Sequence, residues 1–416
     1  MEKTYETDKK IEKLILFAVN SGEEKETQDS LEELEELVRT AGASTVAILV
    51  QNRESAHPGT YLGKGKIEEL AILIDELGAT GIVCDDELTP TQLKNLEDGL
   101  NTKILDRTHV ILDIFAGRAS TKEGKIQVEL AQLKYRSARL VGLRASLSRL
   151  GGGIGTRGPG EKKLEIDRRV IKERIDILKD EIKDMEGHRE TLRQKRSKNP
   201  APVISIVGYT NAGKSTLLNR LTAANVLEED KLFATLDPTT RNFKLDSGQE
   251  VMFTDTVGFI RKLPHNLIDA FRSTLEEAKY ADIIVHVVDA SNPQMDKQMN
   301  TVYETLAELG VEEKTIVTLF NKQDRLVDKP ILKDLKADYT ILTSMKTGEG
   351  IKELLEIIEG ILREKKVYIS EKFDFKDAGK IQLIRKYGEL LKEEYLEDGI
   401  YVEGFVPKEI YGKIKA

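Results

Sequence analysis

The chain of 416 residues has few of the residues that form disulfides or metal sites, or that fill a core with large aromatic rings. It contains one cysteine, Cys84, no tryptophan and five histidines. A single cysteine excludes an internal disulfide, and a structural zinc site is not expected with so few ligands. No apolar run approaches the length of a membrane span, and the first residues do not resemble a signal peptide. We therefore expect a cytoplasmic protein without a membrane span, built from several domains.

Charge is distributed unevenly along the chain, whose formal net charge is −8. Residues 1–117 carry 12 Lys and Arg against 24 Asp and Glu, whereas residues 118–198 carry 22 against 12. A strongly basic segment inside an acidic protein is typical of contact with a polyanion.

Residues 208–215 read Gly-Tyr-Thr-Asn-Ala-Gly-Lys-Ser and match the phosphate-loop pattern G-x-x-x-x-G-K-[ST]. A β-branched run precedes them and an apolar-periodic helix start follows. Gly208 and Gly213 let backbone N–H groups turn toward anionic oxygens. Lys214 can reach the β- and γ-phosphates, and the Ser215 hydroxyl can bind Mg²⁺. The pattern predicts a nucleoside triphosphate site.

The string Asn321-Lys322-Gln323-Asp324 follows a predicted buried strand. A carboxylate at Asp324 can accept hydrogen bonds from the ring N–H and the amino group of guanine, which adenine does not offer in that arrangement. Lys322 and Asn321 would lie beside the base and tie this loop to the phosphate loop. The predicted nucleotide is therefore GTP or GDP.

Three further segments complete the predicted site. Asp255 and Gly258 form a D-x-x-G string after a strand, so Asp255 would hold Mg²⁺ through water and the Gly258 N–H would sense the γ-phosphate. A threonine of residues 233–241 should close over Mg²⁺, and the residues alone leave Thr235, Thr239 and Thr240 as rivals. Residues 344–346 can offer a backbone N–H to the guanine oxygen.

Two features bear on hydrolysis. Phe259 follows Gly258, where Ras-like enzymes carry a glutamine that orients the attacking water. Phe cannot hydrogen-bond water, so intrinsic turnover should be slow and an outside factor should complete the site. Two interpretations of Asn211 compete. It is a K⁺ ligand that stabilises charge between the phosphates, or it is a turn-forming residue.

The basic segment shows two heptad seams separated by a glycine-rich loop. The first seam is Ile126, Leu133, Leu140 and Leu147, and the second is Leu164, Ile171, Leu178, Met185 and Leu192, with Ile175 and Ile182 as companions. The loop, residues 151–160, cannot be helical. We predict an antiparallel coiled-coil hairpin. Between Lys134 and Lys163 its tip carries eight basic residues, Arg139 among them, against Glu161 alone, which suits contact with folded RNA.

The predicted fold class is α/β, a P-loop GTPase domain with a mostly parallel sheet and helices on both faces, joined to an N-terminal α/β domain with a long hairpin and a small C-terminal α+β domain. The predicted boundaries are 1–117, 118–198, 199–365 and 366–416. In the last domain, strands at 366–375 and 399–405 flank an amphipathic helix predicted over 378–395. Residues 61–66 are interpreted as a helix entry.

Residues 200–365 resemble a GTPase of the translation-factor superfamily, and the string Phe233–Arg241 resembles the first switch of the Obg and HflX families. From about Ile11 onward the whole chain is similar to the HflX family, through Tyr61–Lys66, Asp106-Arg107-Thr108, Asp113–Ala116 and the Gly151–Gly160 loop. The resemblance implies that Thr235 is the Mg²⁺ ligand. It also implies that the hairpin tip contacts 23S rRNA in the 50S subunit and that binding splits stalled 70S ribosomes under stress.

The resulting site prediction has three parts, with Mg²⁺ and GTP or GDP as cofactors, K⁺ as an open possibility, and a monomer as the expected state. The catalytic candidates are Lys214, Thr235, Gly258 and Asn211. The metal ligands are Ser215, Thr235 and Asp255. The nucleotide-binding residues are Gly208, Tyr209, Thr210, Asn211, Ala212, Gly213, Lys214, Ser215, Thr216, Phe233, Ala234, Thr235, Leu236, Asp237, Asp255, Thr256, Val257, Gly258, Asn321, Lys322, Asp324, Ser344, Met345 and Lys346.

Two other functions compete with ribosome splitting. A GTPase of large-subunit assembly would bind the same subunit, and an assay of intact 70S against precursor particles separates the two. A nucleotide-gated binding module with little turnover is favoured by Phe259, and turnover with and without 50S subunits would decide.

Overall fold

The structure is a computed structural model that describes residues 11–150, 159–196, 201–222, 232–263, 277–311, 314–326 and 331–415. Within these ranges, side chains are described except at 141–150, 159–164, 188–190, 192–196, 378 and 409. The described residues fall into two compact units. The first takes in residues up to 185 together with 262–263, and the second takes in the remainder.

The first unit is a parallel α/β sheet that continues into two long helices. Its strands are β1 (Lys13–Asn20), β2 (Ser44–Asn52), β3 (Gly81–Cys84) and β4 (Lys103–Asp106). Its helices are α1 (Glu24–Thr40), α2 (Lys64–Leu77), α3 (Pro90–Leu100), α4 (Arg107–Arg118), α5 (Lys122–Leu150) and α6 (Pro159–Arg196), whose last residues belong to the second unit.

Local signals set the element ends in this unit. Thr89 caps α3 through a reciprocal pair with Gln92, and Pro90 occupies the first helical position. Gly78 ends α2 in the left-handed conformation, with φ 59°. Helix α2 begins at Lys64, within the string interpreted as a helix entry.

The four strands of the first unit are parallel in the order β2-β1-β3-β4. Buried Ile15, Phe17, Leu70, Ile82 and Leu96 form part of the core between sheet and helices. Strand order reverses between β1 and β3, and in such sheets the crevice at the carboxyl ends of these strands is the usual place for a binding site. Here β3 runs directly into a string of acidic residues, 85–87.

Helices α5 and α6 contain 29 and 38 residues, which is roughly 44 and 57 Å of helix at 1.5 Å per residue. Their described apolar residues form one cluster around Ile126, Leu130, Ile175 and Leu178. Arg174 Nε also lies 2.8 Å from Glu129 Oε1. Of the predicted glycine-rich loop, residues 151–158 lie outside the described residues. The expectation that residues 159 and 160 are not helical is wrong, because α6 begins at Pro159, and proline is tolerated in the first turn of a helix.

The second unit contains a six-stranded sheet in the order β10-β9-β8-β5-β7-β6. Its strands are β5 (Val203–Gly208), β6 (Thr239–Lys244), β7 (Glu250–Asp255), β8 (Ile283–Asp289), β9 (Thr315–Asn321) and β10 (Tyr339–Leu342). Its described helices include α7 (Lys214–Thr222), α8 (Met295–Glu308) and α9 (Ile351–Glu364). All pairings are parallel except β6 with β7. Strand β6 was not predicted, because its polar sequence lacks apolar alternation.

A small antiparallel sheet, ordered β11-β13-β12, ends the chain. Its elements are β11 (Lys366–Phe373), α10 (Ala378–Tyr387), β12 (Glu389–Leu396), β13 (Gly399–Pro407) and α11 (Lys408–Lys415). The helix predicted over 378–395 is therefore wrong in its second half, which is strand β12. Gly388 separates the two elements, and a Cβ there would lie 2.6 Å from the Phe405 carbonyl oxygen. A register shift between Leu390 and Lys392 breaks the alternation and makes the strand resemble a helix in sequence.

No helix within the described part of the chain combines the length and the apolarity that crossing a membrane requires.

Candidate functional site: a nucleotide cleft

The phosphate loop follows β5 and depends on two glycines. A Cβ on Gly208 would lie 2.2 Å from the Val287 carbonyl oxygen, and one on Gly213 would lie 2.3 Å from Asn321 Nδ2. Both residues have positive φ, 151° and 107°. Because a side chain fits at neither place, the loop can take this path only with glycine. Asn211 between them also has a positive φ, 59°.

Lys214 is the first residue of α7 and is 6% exposed. Its Nζ donates to the Tyr209 carbonyl oxygen at 2.7 Å, so it lies folded along the loop. Burial lowers the pKa of Lys214 to about 8, against the attraction of Asp255. An ammonium that is already desolvated interacts strongly with an anion placed beside it.

Three oxygen-bearing side chains meet at one point beside the loop. Ser215 Oγ lies 2.8 Å from Thr235 Oγ1, and each hydroxyl is 2.9 Å from Asp255 Oδ2. The two rival threonines are in β6, where Thr240 Oγ1 pairs with Thr254 Oγ1 at 3.0 Å. Of the three, only Thr235 has this contact with Ser215 and Asp255 among the described residues.

These oxygens suit a small hard cation such as Mg²⁺. The other carboxylate oxygen, Asp255 Oδ1, is buried and has no hydrogen-bond partner within the described residues. Burial also raises the pKa of Asp255, with Lys214, Ser215 and Thr235 opposing. A buried carboxylate without full compensation is costly unless a cation accompanies it. Ser215, Thr235 and Asp255 could therefore hold the ion.

On the base side, Asn321 connects three loops. Its Nδ2 donates to the Ala212 carbonyl oxygen at 2.8 Å, and its Oδ1 accepts from the Met345 N–H at 2.8 Å. Lys322 Nζ lies 2.7 Å from Asp289 Oδ2. The exposed Asp324 accepts a hydrogen bond from Ser344 Oγ at 2.7 Å, and this bond lowers the pKa of the Asp324 carboxyl. Asp324 is thus oriented and charged.

One cleft of about 670 Å³ joins the phosphate side to the base side. Its lining residues are Thr210, Asn211, Gly213, Lys214, Ser215, Thr216, Arg220, Phe233, Ala234, Thr235, Thr256, Gly258, Asn321, Lys322, Asp324, Arg325, Met345 and Lys346. The remaining predicted residues do not line it, namely Gly208, Tyr209, Ala212, Leu236, Asp237, Asp255, Val257 and Ser344.

Arg220 and Arg325 line the cleft and were not predicted. Arg220 Nη2 donates to the Lys346 carbonyl oxygen. No motif marks Arg220, but a cation one to two helical turns after Lys214 is a signal that could have been noticed. Arg325 follows Asp324 directly, so its place in the cleft beside Asp324 could have been inferred from the motif.

The segment after Asp255 packs against the phosphate loop. The Phe259 N–H donates to the Gly208 oxygen at 3.1 Å, and its carbonyl accepts from the Thr210 N–H at 2.8 Å. Phe259 is 2% exposed. A Cβ on Gly258 would lie 2.8 Å from Thr210 Cγ2 and 3.1 Å from Lys214 Nζ. Phe259 is therefore a packing residue.

Three family models match the chain. Residues 28–116 match one described as the N-terminal region of GTP-binding GTPases, 118–196 match its middle region, and 203–322 match one described as a 50S ribosome-binding GTPase. A GTPase HflX of Lacrimispora saccharolytica is 66% identical over 403 residues, which cover 97% of this chain and 95% of the relative. The chain belongs to the HflX family of GTPases.

Other similar proteins are more distant. The GTPase HflX of Escherichia coli is 41% identical over 350 residues, covering 83% of this chain and 82% of the relative. A GTP-binding protein of Sulfolobus solfataricus in complex with GDP is 24% identical, covers 84% of this chain and 98% of its own, and has a TM-score of 0.45. As an HflX-family protein, the chain is a GTP-hydrolysing enzyme that binds GTP and GDP.

Proposed function

We propose that this GTPase engages the 50S subunit and splits or rescues stalled 70S ribosomes under stress, as a monomer in the cytoplasm. The observation that carries the proposal is the pairing of a guanine nucleotide cleft with a basic helical segment in an otherwise acidic chain. A model described as a 50S ribosome-binding GTPase matches residues 203–322, and this description supports the partner.

In the proposed site, Asp324 reads guanine, and Lys214 contacts the phosphates. The Met345 N–H already donates to Asn321, so we assign the guanine oxygen to the Lys346 N–H. Ser215, Thr235 and Asp255 would hold Mg²⁺, which when bound neutralises charge on the phosphate oxygens. Gly258, close to Lys214, would present its N–H to the γ-phosphate.

The basic segment supports RNA contact in the proposal. Helices α5 and α6 share one apolar cluster, and all of its members except Leu130 belong to the two predicted heptad seams or their companion positions. We propose an antiparallel coiled-coil hairpin with a glycine-rich tip, within domains bounded at 117, 198 and 365. One predicted tip charge is already used, because Arg139 Nη2 lies 2.5 Å from Asp106 Oδ2 and its guanidinium stacks 4.0 Å over the Tyr135 ring. We therefore assign Arg139 to holding α5 in place and not to contact with RNA.

Slow intrinsic hydrolysis is proposed because Phe259 offers no group to orient water. The ribosome would complete the site, and Asn211 with K⁺ would supply part of the charge stabilisation. Stable binding of the GTP form would then precede hydrolysis, and hydrolysis would release the factor.

The experiment that tests the function compares 70S splitting with GTP, with a non-hydrolysable analogue and with GDP. Splitting with the analogue but not with GDP is expected, because Thr235 and Gly258 respond to the γ-phosphate. Equal splitting with GDP would show that the γ-phosphate does not switch the factor into its active form.

A second measurement tests the arm. Neutralising Arg144, Arg149 and Arg157 should reduce the salt dependence of 50S binding by about 0.7–0.9 for each phosphate that is no longer neutralised, with GTP affinity unchanged. The matched control neutralises Arg168, Arg169 and Lys172, which lie farther along α6. If the salt slope is unaltered, the tip has a structural role only.

The second candidate function is a nucleotide-gated binding module with little turnover, which buried Phe259 favours. Multiple-turnover hydrolysis with and without 50S subunits distinguishes it. A stimulation of at least tens-fold supports the ribosome-completed site, since positioning and charge stabilisation commonly supply that much. A factor active on precursor particles but not on 70S would indicate the assembly role.

A further inference from the structure

Arg220 joins the helix after the phosphate loop to the loop on the base side of the cleft. It lies on α7 one turn beyond Thr216, and both residues line the cleft. Its Nη2 donates to the Lys346 carbonyl oxygen. Helix α7 begins with Lys214, and both elements belong to the second compact unit. The contact therefore connects the element beside the phosphate loop to the element beside the base.

The loop of residues 344–349 is closed by a backbone hydrogen bond that does not involve Lys346. The Gly348 N–H donates to the Ser344 carbonyl oxygen at 2.7 Å. In the described part of the chain, Arg220 is the hydrogen-bond partner of the Lys346 carbonyl, and the Lys346 N–H has no protein partner. The Lys346 N–H is thus available to a ligand, while the carbonyl of the same residue is held.

The peptide group that carries the Lys346 N–H lies between two anchored groups. On one side, the Met345 N–H donates to Asn321 Oδ1 at 2.8 Å. On the other side, the Lys346 carbonyl accepts from Arg220. The direction of the Lys346 N–H is therefore restricted from both sides, and without Arg220 it is restricted from one side only.

The loop also leaves space for the guanidinium of Arg220. Gly348 has a φ of 90°, and a Cβ there would lie 3.0 Å from Arg220 Nη1. Glycine permits this backbone conformation and avoids the crowded contact. Two features of the loop therefore fit Arg220, a carbonyl oxygen that it binds and a glycine that makes room for it.

We propose that Arg220 is a positioning residue for guanine, which holds the Lys346 N–H toward the guanine oxygen and so slows the dissociation of the nucleotide. The inference rests on the proposed assignment of that oxygen to Lys346. GTP and GDP share the guanine oxygen, so Arg220 should affect their binding alike. A role in the chemical step would instead change the hydrolysis of bound GTP.

The first test uses the full chain with Arg220→Met, which removes the donor and keeps a long side chain with a good helix propensity. Calorimetry should show that affinity for GDP and for a non-hydrolysable GTP analogue both fall about three- to tenfold, the scale of one hydrogen bond. Hydrolysis at saturating GTP should stay within about twofold of the parent value, the scale of a negligible interaction. Lys352→Met is the matched control, because it removes a cation of α9 whose side chain is 86% exposed and does not line the cleft.

The second test changes the ligand atom that the Lys346 N–H would contact. In 6-thio-GDP a sulfur, which accepts hydrogen bonds weakly, replaces the guanine oxygen, and the N–H groups that face Asp324 are kept. The parent chain should bind 6-thio-GDP more weakly than GDP. Arg220→Met should lose less than about twofold in affinity for 6-thio-GDP, because the contact that Arg220 supports is already weakened.

The two tests separate the role of Arg220 from the assignment on which it rests. If the parent chain binds GDP and 6-thio-GDP equally, the assignment of the guanine oxygen to Lys346 is wrong, and the inference fails with it. If the parent chain discriminates between them, three results would overturn the role of Arg220 alone. These are unchanged GDP affinity in Arg220→Met, equal losses for GDP and 6-thio-GDP, and unequal losses for GDP and the GTP analogue.

Discussion

At the carboxyl edge of the first sheet, the buried charged groups form ion pairs with one another. At the carboxyl edge of the GTPase sheet, some buried polar atoms have no hydrogen-bond partner in the described residues. Arg107 is buried among Asp85, Glu33 and Ser30, with bonds of 2.6–2.7 Å. In the second unit, Asp255 Oδ1 and Thr210 Oγ1 are buried without partners in the described residues. An edge neutralised from within stabilises its fold, and an edge left incomplete is prepared for a ligand.

The largest effect is expected from breaking the internally satisfied edge. Arg107→Leu should lower the free energy of unfolding by about 3 kcal/mol, because the partly buried Glu33 loses this partner and the buried Asp85 keeps only Lys262 and Ser30. Denaturant unfolding measures this change, with the exposed Arg136→Leu as control. A change below 1 kcal/mol, the usual scale of a surface pair, would show that the edge does not depend on its internal pairing.

Breaking the ligand edge should have the opposite signature. Lys214→Met should reduce GTP turnover by about 10²–10³-fold, since a positioned cation at the phosphates is lost. Stability should not fall, because burial already disfavours this ammonium and lowers its pKa to about 8. Single-turnover hydrolysis and thermal unfolding test the two statements together. If the variant is less stable than the parent chain, Lys214 stabilises the fold as Arg107 does, and the contrast between the two edges fails.

A substitution on the base side of the cleft tests the comparison further. Asp324→Asn should weaken GTP binding by about 100-fold, the cost of mismatched polar groups in a specific site. Xanthosine nucleotides, which present a complementary oxygen, should bind better to the variant than to the parent chain. Ser344→Ala is the control for the loss of the Asp324–Ser344 hydrogen bond alone. Unchanged GTP affinity with no gain for xanthosine nucleotides would contradict the assignment.

The smallest effect concerns a buried histidine of the GTPase sheet. Burial lowers the pKa of His286 to about 4 from 6.5, although Asp334 lies 4.0 Å away. Between these values the unfolded chain binds a proton that the folded chain does not, so stability falls as pH falls through this window. At pH 5 the cost is on the order of 2 kcal/mol. His286→Gln should lose stability less steeply than the parent between pH 7 and pH 5 in thermal unfolding, and parallel curves would count against the assignment.

Much of the cleft could be predicted because its parts are short motifs with fixed positions on strands. The strand, glycine loop and helix around Lys214, and the string from Asn321 to Asp324, each place polar groups at the carboxyl edge of a parallel sheet. The choice of Thr235 could not be predicted from the residues alone, because no local feature distinguishes it from Thr239 and Thr240. The pairing of β6 with β7, a contact between strands, places Thr239 and Thr240 in a strand, away from the group formed by Ser215, Thr235 and Asp255.

The sequence by itself determined the α/β class, the guanine nucleotide motifs, the basic segment and the heptad seams, because these depend on periodicity and on spacing along the chain. Only the tertiary structure decided that residues 389–396 form a strand, that Arg139 is neutralised by Asp106, and that Arg220 binds the Lys346 carbonyl. Each of these depends on groups from separate elements, where pairing, burial and charge compensation are settled by folding rather than by local pattern.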